Sequence, residues 1–324
     1  MNVNELKIAF LGVSHWHVPL YFPALSKGSV VAVSDSNETI SEQFAQQLGC
    51  HSFTDWKALL DEMHPDFVFA FAPHNEMTAM ALELIARKIP FAIEKPAGMS
   101  EGEVLKVAEA AEKADAFCAI PFVWRYSDTV AKLKESLLSG KILHMSYRFI
   151  AGPPSRYLVS SPWMLASETA GGGCMTNLGV HFIDMALYLT DSASADVLSS
   201  AYQYNGTYDI EIYGSSLLKM ETGASLVLET GYAYPMDEEA KRENRWCIVT
   251  ENGYYTLAEN RLEAREYGKE VMNISLSTDS DVYYPKFVEA TLDDYVNGRR
   301  PRASIREMLT VRRILDRMNE AAKD

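Results

Sequence analysis

Short runs of consecutive apolar residues alternate with longer amphipathic stretches over the first third of the chain. The apolar runs have the length expected of strands buried on both faces, and they cover residues 7–11, 30–33, 66–71, 90–93 and 117–120. The stretches between them space their apolar residues as helices do, and they predict a helical segment to Leu25, a helix containing Leu59 and Leu60, and helices over 37–48, 77–87 and 101–113. This alternation predicts a doubly wound parallel sheet, in which ligands bind beyond the carboxyl ends of the strands.

The pattern changes after about Pro121. A helix over residues 128–138 ending at Gly140, a strand over 142–151 and a loop rich in proline and serine come next. The chain then becomes rich in strands, which are expected over 197–204, 209–220, 225–234, 246–250, 253–257, 262–267 and 270–276. Turns such as Glu251-Asn252-Gly253 separate them, which is typical of hairpins.

Two helices, around 287–296 and 305–321, close the chain. The predicted fold class is therefore α/β, with a parallel nucleotide-binding type of sheet followed by an α+β domain that holds a large, mostly antiparallel open sheet. We expect the first domain to cover residues 1–122 and the second to cover 123–324. An open sheet leaves one face to be covered, so a homodimer or homotetramer is expected.

Three consecutive glycines, Gly171 to Gly173, precede a predicted helix from Met175 to Leu189. Glycine lets the backbone turn sharply or pass close to a ligand. On the helix, Asn177, His181 and Asp184 fall at positions i, i+4 and i+7 and so share one face. Polar side chains on an otherwise apolar helix are costly to bury without partners. This stripe is either hydrogen-bonded packing, with Asp184 anchoring the helix, or part of a functional site.

Composition limits the class of partner. The 324 residues are 48% hydrophobic and carry a net charge of −14, which argues against nucleic acid and anionic membrane surfaces as partners. The four cysteines show neither zinc spacing nor a disulfide pattern, and no run approaches the ~18 apolar residues of a membrane helix. The first residues lack the basic and apolar regions of a signal peptide, so a cytoplasmic location is expected.

The first predicted strand ends in the turn Gly12-Val13-Ser14-His15-Trp16-His17. Asp35 ends the second strand about twenty positions later, where a Rossmann unit places the carboxylate that binds the adenosine ribose. The alternative role for Asp35 is that of a helix N-cap. Of the pattern G-x-G-x-x-G only Gly12 remains. Ser14 could offer its hydroxyl to a phosphate oxygen, and His17 indicates looser packing or a side chain turned toward the ligand.

His15 and His17 also form a potential metal pair. Sequence spacing supplies no third ligand, so no metal site is expected.

Taken in order, several motifs resemble those of the Gfo/Idh/MocA family, which includes glucose-fructose oxidoreductase and inositol dehydrogenase. The glycine-led stretch resembles the family signature Gly-Gly-Gly-x-Leu-x-Asp-x-Gly-x-His-x-x-Asp. The other motifs are Phe53-Thr54-Asp55-Trp56, Pro73-His74-Asn75, Glu94-Lys95-Pro96, Phe122-Val123-Trp124-Arg125-Tyr126, Ser139-Gly140-Lys141-Ile142 and Gly298-Arg299-Arg300-Pro301. The resemblance covers nearly the whole chain.

The resemblance implies an NAD(P)-dependent oxidoreductase that transfers a hydride between nicotinamide and a sugar, cyclitol or related polyol. It implies that Lys95, Asn177 and His181 surround the reacting centre, with His181 as acid/base and Lys95 as the group that stabilises alkoxide character. Cofactor contacts are expected from Gly12, Ser14, His15, Trp16, Asp35, Ala72, Pro73, Asn75, Glu94, Lys95 and Arg125. Substrate contacts are expected from Lys95, Trp124, Arg156, Trp163, Asn177 and His181, with Tyr157 beside them.

The chain departs from the family pattern in its glycine turn, at His74, and at Asn177, where an aspartate is usual. Asparagine can hydrogen-bond a sugar hydroxyl but cannot raise the pKa of a neighbouring histidine. Asp35 favours NAD, with NADP as the alternative. Arg125 either orients a ligand or holds the joint between the domains.

Two rival functions stay open. One is a non-catalytic regulator that binds NAD(P) or a sugar. The other is an epimerase, dehydratase or glycosidase-like enzyme that uses NAD transiently.

Overall fold

The computed structural model describes residues 2–137, 139–235 and 242–323. By contacts the chain divides into two compact units. The first unit comprises Met1–Pro121, Val159–Met164 and Tyr284–Leu309. The second comprises Phe122–Leu158, Leu165–Tyr283 and Thr310–Asp324. The chain first passes from one unit to the other after Pro121, one residue before the predicted boundary. Two later segments predicted to lie in the second domain, Val159–Met164 and Tyr284–Leu309, belong to the first unit.

The first unit is built on a parallel sheet of six strands in the order β3-β2-β1-β4-β5-β6. Its strands are β1 Ile8–Leu11, β2 Val30–Ser34, β3 His51–Phe53, β4 Phe67–Ala70, β5 Phe91–Ile93 and β6 Cys118–Ala119. Its helices are α1 Val18–Tyr21, α2 Glu38–Leu48, α3 Trp56–Met63, α4 His74–Ala86 and α5 Glu101–Ala114, together with α9 Tyr284–Val296. The order reverses at β1, which is the doubly wound topology that the sequence predicts; only the short β3 was not anticipated.

The helix after the first turn is shorter than expected. Instead of a helical segment through Leu25, α1 ends at Tyr21 and a 3-10 turn covers Phe22–Ala24. Pro19 lies near the start of α1 and Pro23 lies in the 3-10 turn. Proline lacks the N–H that a helix interior requires, so the segment breaks into two short pieces.

The C-terminal segment joins the first unit through aromatic packing and one sheet-edge contact. Phe287 of α9 lies 5.9 Å from Tyr21 between ring centroids, and Tyr295 lies 5.6 Å from Phe67. The amide of Ile120 donates to the carbonyl of Ala303 at 3.0 Å. These contacts join residues far apart in sequence, and for that reason local patterning cannot place this segment. The last helix, α10 Ile305–Ala321, begins in the first unit and its end belongs to the second.

The second unit is built on an eight-stranded sheet in the order β14-β13-β12-β11-β7-β10-β9-β8. Its strands are β7 Ile142–Ala151, β8 Ala195–Gln203, β9 Tyr213–Met220, β10 Ser225–Gly231, β11 Arg242–Thr250, β12 Gly253–Ala258, β13 Arg261–Glu266 and β14 Met272–Ser275. Its other helices are α6 Asp128–Lys132, α7 Ser167–Ala170 and α8 Val180–Thr190. Every neighbouring pair is antiparallel except β7 and β10, so the predicted mostly antiparallel sheet is confirmed.

Helix α8 packs on this sheet through Phe182, whose ring lies 5.7 Å from Tyr147 and 5.6 Å from Phe149. The strands alternate buried and exposed residues, as expected of a sheet with one solvated face. That open face carries exposed apolar side chains, among them Leu198, Val227 and Tyr254.

Two predicted α-helices contain a π-helical turn. Helix α6 passes into a π turn at Leu133–Leu137, and residue 138, the predicted end, lies outside the described residues. Before α8, a π turn covers Met175–Gly179. Asn177 therefore lies in a turn wider than an α-turn, and the strict i, i+4, i+7 geometry expected for the polar stripe does not apply at its start.

None of the described helices is long and apolar enough to cross a membrane.

Candidate active site

The turn after β1 requires glycine at its first position. Gly12 has φ of +78°, and a Cβ there would lie 2.1 Å from the carbonyl oxygen of Phe71. The amide of Gly12 donates to the carbonyl of Ser34 at 2.7 Å. The turn is thus held against the ends of the neighbouring strands, which is the close approach that a nucleotide-binding turn needs.

Asp35 is buried at the end of β2. Its Oδ2 accepts the Ser14 amide at 2.7 Å, and its Oδ1 accepts the Asn37 amide at 2.9 Å. The alternative role of Asp35 as a helix N-cap is wrong, because Asn37 is the N-cap of α2 and accepts from Ile40. Each carboxylate oxygen has a second lone pair, so Asp35 can still accept a ribose hydroxyl.

A cavity of about 430 Å³ lies on this turn. Its lining includes six of the predicted cofactor residues: Gly12, Ser14, His15, Asp35, Ala72 and Pro73. Trp163, which the sequence predicts as a substrate contact, also lines the cavity. No cofactor role was predicted for the remaining lining residues, which include Thr54, Trp56, Glu76 and Met80. The volume falls in the usual range for small-molecule sites, and the glycine turn and carboxylate fit a dinucleotide.

Trp163, a predicted substrate contact, was expected in the second domain, but it belongs to the first unit. Its ring lies 4.9 Å from His74 and 6.3 Å from His15 between centroids. The loop that carries it is irregular and proline-rich, so no periodicity in the sequence shows where it packs. Trp16 stacks on His15 at 3.9 Å.

His15, His17 and Glu94 form a cluster whose potential metal-ligating atoms all lie within 4.8 Å of one another. A His17 ring nitrogen lies 3.1 Å from Glu94 Oε1, which also accepts from the Tyr21 hydroxyl at 2.9 Å. The Tyr284 hydroxyl lies 2.9 Å from the same nitrogen of His17. Glu94 thus supplies the third side chain that sequence spacing did not place. The His17 side chain is turned toward protein partners rather than toward a ligand.

Burial and charge set the protonation of this cluster. Burial lowers the pKa of His15 well below its usual value, with Glu94 opposing and the nearby Lys95 adding to the effect. Burial acts to raise the pKa of Glu94, but the charge and hydrogen bond of His17 outweigh it and leave that pKa lowered. His15 is therefore neutral and Glu94 ionised near neutral pH. Lys95 is itself buried, and its amide donates to Glu94 Oε2 at 3.2 Å.

Four predicted cofactor residues of the first unit, Trp16, Asn75, Glu94 and Lys95, do not line the cavity. Asn75 is exposed in the first turn of α4. Glu94 is fully buried among the partners just described.

In the second unit, a buried carboxylate holds the glycine-led stretch. Glu211 accepts the Gly173 amide at 2.7 Å and the Met175 amide at 3.0 Å. Its carbonyl accepts the Cys174 amide at 3.1 Å, and a Cβ on Gly173 would lie 2.0 Å from that carbonyl oxygen. Gly173 therefore makes room for the backbone of Glu211. Burial raises the pKa of Glu211, and the backbone hydrogen bonds limit the rise.

Asn177 lies in a buried group of aromatic hydroxyls. Its Nδ2 donates to the Tyr157 hydroxyl at 3.0 Å and to the Tyr232 hydroxyl at 2.9 Å. Arg156 lies over both rings, with its guanidinium carbon 4.6 Å from the Tyr157 centroid and 5.4 Å from that of Tyr232. The structure thus brings together three sequence-predicted residues, Asn177, Arg156 and Tyr157, and adds Tyr232, whose position in a strand-rich region carried no signal.

His181 is half-buried one turn beyond Asn177, with its ring 6.2 Å from that of Phe122. Asp184, at the buried end of the stripe, receives two hydrogen bonds from Arg125, at 2.9 and 2.7 Å. Arg125 is therefore occupied in anchoring α8. Asp184 thus anchors α8 through an arginine 59 positions away, where a local hydrogen bond was expected.

Trp124 is only 2% exposed and packs against Trp246 at 4.6 Å. Trp124 thus contributes to the aromatic core of the second unit.

Comparison with known proteins identifies the family. The model described as "Oxidoreductase family, NAD-binding Rossmann fold" matches residues 6–122, and that of the GFO/IDH/MocA C-terminal domain matches residues 128–256. D-glucoside 3-dehydrogenase of Escherichia coli (strain K12) is 25% identical over 270 residues, which are 76% of each chain. Inositol 2-dehydrogenase 2 of Saccharopolyspora erythraea is 22% identical, over 74% of this chain and 70% of its own.

Solved structures share the fold. Levoglucosan dehydrogenase in complex with NADH and levoglucosan aligns with a TM-score of 0.85 at 15% identity, over 98% of this chain and 97% of that one. An oxidoreductase from Agrobacterium radiobacter in complex with NAD+, L-tartaric acid and magnesium also gives 0.85, at 18% identity over 99% and 97%. The chain therefore belongs to the Gfo/Idh/MocA family of oxidoreductases, and its first unit carries the family's NAD-binding Rossmann fold.

Proposed function

We propose that this protein is an NAD-dependent dehydrogenase that oxidises a secondary alcohol of a sugar, cyclitol or related polyol, or reduces the corresponding ketone. The cavity on the Gly12 turn, with Asp35 in its wall, carries the proposal. Relatives named as glucoside and inositol dehydrogenases support the substrate class.

The first unit offers the groups that would hold NAD. Asp35 would accept from the ribose hydroxyls, and the Gly12 turn would lie against the pyrophosphate. Bound NAD supplies the hydride acceptor for alcohol oxidation. A carboxylate at this position repels a 2′-phosphate, which supports NAD over NADP as the cofactor.

The proton that leaves the alcohol needs an acceptor, and we assign that role to His181. Its ring is half-buried, and histidine is the side chain that most often serves as a general acid or base. We assign to the Lys95 ammonium the stabilisation of negative charge on the substrate oxygen, because a buried cation is effective at that task.

Cofactor binding and turnover test the proposal in two steps. We expect NADH fluorescence to change on addition of the protein, and we expect NADH to form when NAD and members of a sugar and cyclitol panel are added. Absence of NADH binding would contradict the cofactor assignment. NADH binding without turnover on any member would contradict the assigned reaction.

His181→Ala should lower kcat by about 100-fold or more while NAD affinity changes little, because general acid–base catalysis contributes roughly that much. His144→Ala is a matched control, since His144 lies on β7 and its ring nitrogen lies 2.8 Å from the Ser225 hydroxyl. An equal loss of kcat and of cofactor affinity would give His181 a structural role instead. Lys95→Ala should likewise abolish turnover if Lys95 acts on the substrate oxygen.

A binding regulator is the second candidate, and the altered glycine turn favours it. Ser14 and His17 replace two of the three glycines of the nucleotide motif. In that case the protein would bind NADH without turnover, and Lys95→Ala would have no effect on NADH binding. An NAD-assisted epimerase or dehydratase would instead carry bound cofactor through purification and produce no net NADH.

We further propose a cytoplasmic homo-oligomer. Exposed apolar side chains on the open sheet face support self-association, and the four free cysteines suit a reducing compartment.

A further inference from the structure

We propose that Arg156 binds an anionic group of the substrate, so that the alcohol oxidised belongs to an acidic sugar or cyclitol that carries a carboxylate or a phosphate. This inference rests on the proposed dehydrogenase function and specifies its substrate class.

The Arg156 guanidinium is held in a fixed orientation by neutral groups. It lies over the rings of Tyr157 and Tyr232, at 4.6 and 5.4 Å, and its Nη2 donates to the Tyr157 hydroxyl. Both tyrosines are almost fully buried. Arg156 Nε is buried and has no hydrogen-bond partner among the described residues. The aromatic faces fix the plane of the cation, but they supply no opposing full charge.

The other arginines that are not exposed have carboxylate partners. Within the described chain, those partners are Asp61 for Arg87, Asp184 for Arg125, Asp281 for Arg242 and Asp316 for Arg312. Arg156 makes no such ion pair with any residue that the structure describes. A partly buried cation without a counter-charge is costly, and a bound anion removes that cost.

Asn177 explains why the protein itself does not supply the negative charge. The family signature has an aspartate at this position, and an aspartate would place a carboxylate one hydrogen bond from the Tyr157 hydroxyl that Arg156 also contacts. Asn177 is neutral, and its amide donates to both tyrosine hydroxyls. With asparagine in place of aspartate, the group formed by Arg156, Asn177 and the two tyrosines carries a net positive charge, whereas the whole protein has a net charge of −14. A negative group on the substrate would restore the charge balance.

The geometry of the guanidinium suits either of two anions. Its planar set of N–H donors can engage a carboxylate or a phosphate with two hydrogen bonds. Matched sugars distinguish them: D-glucose against D-glucuronate and D-glucose 6-phosphate, and D-galactose against D-galacturonate.

The test measures kcat/KM for each sugar with NAD. We expect the preferred anionic sugar to exceed its neutral counterpart by at least about tenfold. Arg156→Gln should remove that preference, lowering kcat/KM for the anionic sugar at least tenfold while changing it less than threefold for the neutral one. Arg148→Gln is the matched control, because Arg148 is an exposed arginine of the same unit paired with Glu229, and it should leave the preference intact.

Asn177→Asp provides a second variant. Its carboxylate should replace the charge of the substrate and weaken the preference for the anionic sugar. Equal or higher kcat/KM for neutral sugars in the unmodified protein, or an equal loss on both kinds of sugar in Arg156→Gln, would overturn the inference.

Turnover of neutral sugars alone would leave the dehydrogenase function intact and overturn only the inference. If no sugar is turned over, the proposed function fails, and binding decides the inference by itself. Titration of NADH-loaded protein with D-glucuronate and with D-glucose 6-phosphate should then show saturable binding that Arg156→Gln abolishes. No binding, or binding unchanged in that variant, would overturn the inference.

Discussion

Three buried carboxylates of this protein have different roles, and those roles depend on their hydrogen-bond partners more than on the residue type. Asp35 accepts two backbone amides, Glu94 accepts from a tyrosine and pairs with a histidine, and Glu211 accepts two amides at the start of the glycine-led stretch. All three carboxylates are buried, yet only Asp35 lies in the wall of the cavity. Of these three buried carboxylates, Asp35 is therefore the candidate cofactor ligand, because it lies at the cavity.

Asp35→Ala should weaken NAD binding by about tenfold or more, because a charge-assisted hydrogen bond contributes roughly 1.5–3 kcal/mol. NADP binding should be unchanged or tighter, since the repulsion of the 2′-phosphate is removed. Fluorescence titration with NADH and NADPH measures both affinities. Asp35→Asn separates charge from shape, because it keeps an acceptor for the Ser14 amide. An unchanged ratio of the two affinities in both variants would remove Asp35 from the ribose site.

His15 should make the protein less stable in acid. Its folded pKa is lowered, so the unfolded chain binds more protons below the ordinary histidine pKa of 6.5, and the free energy of unfolding falls as the pH falls. The groups facing it, Glu94, His17, Lys95 and His74, are unchanged in His15→Gln.

Urea unfolding at pH 7 and pH 5 measures the effect. We expect the unmodified protein to lose up to about 2 kcal/mol more than His15→Gln, since one proton changes the free energy by roughly 1.4 kcal/mol per pH unit. Equal losses would show that His15 is protonated in the folded state.

At the scale of elements, the glycine-led stretch and the segment just before β9, which contains Glu211, hold each other in place. Gly173 lies against the backbone of Glu211, and the Glu211 side chain holds the amides that open the π turn at Met175–Gly179. Because Asn177 lies in that turn, the position of its side chain depends on a residue 34 positions away in the sequence. The sequence indicated a close approach at the glycines, but not its partner.

Gly173→Ala should lower the free energy of unfolding by several kcal/mol, because its Cβ would meet a backbone oxygen at 2.0 Å and one of the two segments must move. Gly102→Ala is the control: it lies in helix α5 with nothing closer than 4.0 Å to the added carbon. That change should stabilise the protein by about 1 kcal/mol through helix propensity. Urea unfolding compares the two, and equal stabilities would show that the two segments separate at little cost.

At the scale of the whole molecule, the open face of the eight-stranded sheet is the surface through which we propose that copies of the chain associate. Val227 is exposed on β10, opposite Leu217 of β9, and Tyr254 is exposed on β12. Apolar patches of this kind on a sheet favour association between copies of a chain.

Sedimentation should therefore give the mass of a dimer or tetramer for the unmodified protein. Val227→Glu should shift it toward the monomer, because a charge would be buried in the interface. Val159→Glu, at a loop residue that is 96% exposed, should leave the mass unchanged. A monomeric unmodified protein would contradict the proposed assembly.

Local patterning in the sequence was enough for most of the architecture. Apolar residues that repeat every two or every 3.6 positions, with turn residues between the segments, predicted the parallel sheet, the open sheet and the helix over Ile305–Ala321. The same patterning located Gly12, Asp35 and the stripe of Asn177, His181 and Asp184. These features depend on near neighbours in the chain, so they can be read from consecutive residues.

The contacts that decide the chemistry join residues distant in sequence, and only the folded chain brings them together. Glu94 beside His15 and His17, Glu211 beneath Gly173, Trp163 in the wall of the cavity, and Tyr232 beside Asn177 have no local signature. Burial in these clusters also determines which groups are charged, as for His15 and Glu94. The sequence by itself determines which reactive residue types are present and how they are spaced. The tertiary structure decides which groups lie beside them, and those neighbours determine whether each group is protonated.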